Sequence, residues 1–143
     1  MIHLKFLPIP VSINSAFSHI KRSAFSPVSR CKSPKYILFE QEMNVWRLTH
    51  SADVRSARTW FLDKSLITLE MKMFMPQLRL FTKSGDPRKL DADNFIKPMQ
   101  DILSKMLDFD DEIIFKVSNE KIPHKAKGSW CDVIIDEHKL SLT

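Results

Sequence analysis

Apolar and polar residues nearly alternate over residues 2–7 (Ile-His-Leu-Lys-Phe-Leu), the period of a half-buried strand, and Pro8 and Pro10 close it. Residues 11–32 follow neither a strand nor a helix period. Ser33-Pro34 marks a helix start, with Ser as cap and Pro at the first helical position. Tyr36, Phe39, Met43 and Trp46 then recur at helical spacing and predict a core-facing stripe, with Glu40, Glu42 and Arg47 off it. Residues 51–60 either continue this helix or open a short second one, in which Arg55 and Arg58 share a face turned to solvent or to a phosphate. From Ile67 the period is two: Ile67, Leu69, Met71, Met73 and Met75 point one way, and Thr68, Glu70, Lys72 and Phe74 the other. That predicts a strand in a sheet covered by helices on one side.

Pro76 ends this strand, and residues 77–90 form a long connection with a Lys-Ser-Gly-Asp-Pro turn at 83–87. Phe95, Met99, Ile102, Leu103 and Met106 make the stripe of the next helix, with Asp93 as its expected cap. Pro98 would release the carbonyl of Asn94 and kink that helix. Residues 112–121 alternate again, Ile113, Phe115 and Val117 against Ile114, Lys116, Ser118 and Glu120. His124 to Gly128 reads as a basic hairpin turn, Trp130 to Asp136 as a last strand, and residues 137–143 as a tail. The order strand, helix, strand, helix, strand, strand predicts one α+β domain over residues 1–143. It would be a two-layer sandwich with a small mixed sheet of about four strands and two main helices.

Charge divides this domain. The 143 residues carry a net +5, yet residues 1–39 hold six Lys or Arg and no acid, leaving −1 for the remainder. A basic strand and loop joined to an acid-centred body suggests a polyanionic partner met by two zones, one for phosphates and one for a metal; basic loops that only keep the chain soluble are the plainer alternative. Candidate phosphate contacts are Asn14, Lys21, Arg22, Arg30, Lys32, Arg88, Lys89, Asn94, Lys125 and Lys127, and Phe17 and Phe25 either stack on bases or anchor the loop. The acid-free start has the composition of a transit peptide, but Pro8, Pro10, Pro27 and Pro34 oppose the amphipathic helix such a peptide needs. No secretory signal and no membrane-spanning apolar run are present, so a cytoplasmic location is expected. Cys31 and Cys131 read as reduced thiols, with one long-range disulfide as the alternative. The five scattered histidines read as surface or packing residues.

Eight of the seventeen acids fall between Asp86 and Glu112. Helix capping explains one Asp of Asp91-Ala92-Asp93-Asn94. A divalent ion explains more, because Mg²⁺ takes hard carboxylate oxygens. If the segment is extended, Asp91 and Asp93 face one side and reach the same ion. Lys97, one helical turn after Asp93, is then placed beside a phosphate, or else makes an ordinary surface pair.

The elements Asp91-Ala92-Asp93-Asn94-x-x-Lys97 and Asp110-Asp111-Glu112 resemble those of the RusA-type Holliday junction resolvases. Leu7-Pro8-Ile9-Pro10-Val11-Ser12-Ile13-Asn14 is similar to that family's opening, and Lys127-Gly128 precedes a final strand as it does there. The resemblance spans nearly the whole chain. The connection before Asp91 is longer than in the family, and Pro98 stands where a helix-friendly residue is usual. The resemblance implies a homodimeric endodeoxyribonuclease that resolves four-way DNA junctions by paired nicks in recombination and repair. Asp91, Asp93 and Asp111 would hold Mg²⁺ (Mn²⁺ could stand in) and Lys97 would assist, with Asp110 and Glu112 as nearest substitutes for Asp111. A phage or prophage origin would suit the family. The other readings are a non-catalytic nucleic-acid-binding protein and a less selective nuclease acting on flaps or single strands. A straight helix from Asn94 to Leu107 would be roughly 20 Å long and would part Asp93 from Asp111. The expectation is therefore a composite site, with Asp111 supplied by the second protomer across a two-fold axis.

Overall fold

In a computed structural model the described residues are 1–20, 24 and 29–141. Lys21, Arg22 and Phe25, named above as nucleic-acid contacts, lie outside them. The main sheet has four strands in the order β1-β6-β4-β5: β1 (Ile2–Leu7), β4 (Ile67–Pro76), β5 (Ile114–His124) and β6 (Trp130–Glu137). It is mixed, since β4 runs parallel to β5 while the β1–β6 and β4–β6 pairs are antiparallel. One face is apolar in the two central strands. Ile67, Leu69, Met71, Met73 and Met75 of β4 and Cys131, Val133 and Ile135 of β6 are all buried there. On these rows pack three main helices, one more than expected: α1 (Pro34–Thr49), α2 (Ser51–Phe61) and α4 (Ile96–Leu107).

Local chemistry explains these helices. The Ser33 Oγ accepts from the Tyr36 N–H, Pro34 opens α1, and the whole stripe Tyr36, Phe39, Met43, Trp46 is buried. His50 breaks the run between α1 and α2, its φ of −123° lying off the helical value. Arg58 of α2 donates through Nε to the Met106 carbonyl at 2.9 Å, tying α2 to α4, while the residue stays exposed to solvent. Pro98 is the third residue of α4, inside the first turn, where its missing N–H removes no intrahelical bond and the expected kink has no cause.

Residues 11–32 are more regular than their pattern suggests. A 3₁₀ turn at Ile13–Ser15 leads into a separate antiparallel hairpin of β2 (Phe17–Ile20) and β3 (Ser29–Lys32). The connection after β4 contains one helical turn, α3 (Gln77–Leu80), and a bridge between Phe81 and Pro87. β5 runs on to His124, and as the sheet's edge it leaves Phe115 and Val117 exposed, while Ile113 just before it packs against the core. Both cysteines are unbridged, Cys131 within the core, where burial pushes its thiol pKa up. Among the described residues no helix is long and apolar enough to cross a membrane.

Candidate active site

The acid-bearing segment is tied to the sheet's edge strand. Alternate residues of β5 share a side, and two of them reach across to backbone carbonyls: Asn119 Nδ2 donates to Ala92 O and Lys121 Nζ to Leu90 O, each at 2.7 Å. The sequence reading missed both, because nothing in a strand pattern says that a half-buried Asn and Lys hold a neighbouring loop. Asn119 Oδ1 is buried, with no hydrogen-bond partner among the described residues.

The segment is not extended through Asp93. A 3₁₀ turn occupies Ala92–Phe95, with Asp91 at its N-cap and Asp93 in its first turn. This turn replaces the strand geometry from which a shared side for Asp91 and Asp93 was expected. The capping role fails as well. Asp91 makes no side-chain cap bond, and α4 starts from Phe95, again with no side-chain cap. Both carboxylates are exposed to water. Capping belongs instead to Asp110, whose Oδ1 accepts from the Glu112 N–H at 3.0 Å and opens a 3₁₀ turn at Asp111–Ile113.

Asp111 is thereby left to Lys97. The chain reverses at Asp108, which takes a left-handed backbone (φ 56°, ψ 58°), and the Phe109 N–H bonds back to Ser104 O at 3.0 Å. The Phe109 ring stacks on Phe61 of α2, 4.4 Å between centroids, and pins the returning loop. Lys97 Nζ sits 3.2 Å from Asp111 Oδ2 and 2.7 Å from Asp101 Oδ1. The fold-back brings Asp111 to Lys97 within one chain, so this pairing needs no second protomer. Asp101, one turn after Lys97, was legible from its spacing but was not singled out. Its hydrogen bond is the largest cause holding the Lys97 ammonium above its usual pKa; burial opposes it, and the weaker hydrogen bond of Asp111 adds to the rise.

The donor set suits Mg²⁺ in part. Asp91 and Asp93 are hard, water-accessible oxygen donors, and Mg²⁺ takes one or two carboxylates with several waters. Among the described residues no three His, Cys, Asp or Glu side chains stand close enough to hold an ion together, and Asp111 is occupied by Lys97.

The predicted phosphate contacts fall into two groups. Lys32 pairs with Glu40 at 2.9 Å, Arg30 lies over the Phe17 ring at 3.5 Å, and Arg88 Nε donates to Leu78 O at 2.9 Å, so these three brace their own loops. Asn14, Lys89, Lys125 and Lys127 are exposed, and Asn94 is half-buried. Compared with known proteins, the chain matches no family model and no curated sequence.

Proposed function

We propose that this protein is a metal-dependent endodeoxyribonuclease selective for branched DNA, with four-way junctions as its substrate, acting as a homodimer. The observation that carries the reading is the fold-back that sets Lys97 between Asp101 and Asp111, next to a segment presenting Asp91 and Asp93 to solvent. Four carboxylates against one ammonium make a surface that repels a phosphate unless a further cation joins it. Asp91 and Asp93 would hold Mg²⁺, which when bound polarises a phosphate and activates water. Lys97, held by its two carboxylates, offers a fixed point charge to a pentacovalent phosphate. Asn119 and Lys121 hold the segment that carries the pair. Lys89, Lys125 and Lys127 supply exposed cations for backbone phosphates.

The test uses the parent and Asp93→Asn on a synthetic four-way junction, with and without Mg²⁺. Cleavage by the parent with Mg²⁺, and binding without cleavage by the variant, is the expected result. Binding without cleavage by both in any divalent ion would sink the nuclease. A second reading, a nucleic-acid-binding protein that does not cut, has its own observation: Asp111, one of the three expected metal ligands, is paired with Lys97.

A further inference from the structure

The uncovered face of the sheet carries a row of aromatic rings that the site above does not use. Trp130 of β6 is registered against Phe74 of β4, and their rings stack at 5.1 Å and 13°. His124 lies 4.7 Å from Trp130 and Phe6 of β1 lies 5.8 Å from it. Phe6 is the unusual member. From buried Leu4, strand alternation would turn residue 6 inward, yet the β1–β6 register slips between Leu4 and Leu7 and Phe6 takes a φ of 58°. A left-handed backbone costs an ordinary residue free energy, and here it turns a phenyl ring 64% exposed into water. Asp132 Oδ1 accepts from the Phe6 N–H at 3.0 Å and holds the bend. Strain spent on exposing a ring is a reason to ask what the ring meets.

The surroundings favour a polyanion. Lys5 precedes Phe6, the turn after His124 carries Lys125 and Lys127, and Arg79 bonds Ser129 Oγ at 3.2 Å at the foot of Trp130. Facing them are Asp132, engaged with Phe6 and 3.6 Å from His3, and Glu42 across a groove of about 400 Å³ that Phe6, Pro8, Val45, Trp46 and Trp130 line. We propose that Phe6 and Trp130 form a stacking platform for unpaired bases of a nucleic-acid strand, whose phosphates run along Lys5, Lys125 and Lys127. Stacking on aromatic rings tolerates any base and acts beside the phosphate contacts. The proposal rests on nucleic acid as the partner in the reading above, and not on cleavage.

The test is binding of a fluorescent oligothymidine by the full chain in EDTA, where no cutting can occur, with Phe6→Gly, Phe6→Leu and Phe6→Tyr alongside. Phe6→Gly relieves the left-handed backbone, so its melting temperature should hold or rise. Its affinity should fall about 5- to 150-fold, with little change in salt slope, because stacking releases no counterions. Phe6→Leu, apolar but without a π face, should fall likewise if the glycine variant folds poorly, and Phe6→Tyr should bind like the parent. A parent that does not bind the oligomer overturns the platform. So does Leu or Gly binding as the parent does, or a loss that tracks dissociation of a dimer seen by sedimentation, which would make a second copy the occupant of these rings. Junction cleavage failing while this pattern holds would remove the nuclease and leave the platform.

Discussion

Two carboxylates accept from Lys97, and its proton is held more tightly than in an ordinary lysine. Because the folded-state pKa is raised, this contribution to stability is fully present below the usual 10.5 and is lost as pH climbs through the higher folded value. Replacing Asp101 by Asn should lower the Lys97 pKa more than replacing Asp111 does, since Asp101 is the larger cause; NMR titration of the ammonium reads both. Equal shifts would mean that the two carboxylates share the proton's attraction evenly. The acids also show where sequence stops. Residue types named a charged centre at 91, 93, 97 and 111, but not which acid caps and which pairs. That division depends on the left-handed turn at Asp108, a position with no glycine to announce it.

Elements with long periodic patterns were legible, and short ones were not. The stripe of α1 and the alternation of β4 each span several repeats and are buried as the pattern requires. β2 and β3 have four residues each, too few for a period to show, and they pair with one another outside the main sheet. The kink expected at Pro98 assumed a helix beginning at Asn94, whereas the 3₁₀ turn delays α4 to Ile96. β5 is legible as a strand, but its side-chain ties to Leu90 and Ala92 depend on which neighbour lies over it. Lys121→Met should remove one tie and cost about 1–3 kcal/mol. Hydrogen exchange should then quicken at residues 90–95 more than in the core of β4. Uniform quickening would make Lys121 a general stabiliser and not a local tie.

At the scale of the molecule, helices and acidic segment occupy one side of the sheet and aromatic rings the other, with the basic turn at its end. If exposed lysines there meet phosphates, Lys125→Ala with Lys127→Ala should weaken DNA binding alike for every sequence. The salt slope should drop by about one for each phosphate that is no longer neutralised. An unchanged slope would place the phosphates elsewhere. The strand order carries a further consequence for how the protein is made. β6 lies between β1 and β4, so the first strand has no neighbour in the main sheet until the last one arrives. During synthesis the ribosome therefore releases a chain whose opening strand stays unpaired until residues 130–137 emerge. A stalled or shortened product lacking them should be a ready target for chaperones and proteases.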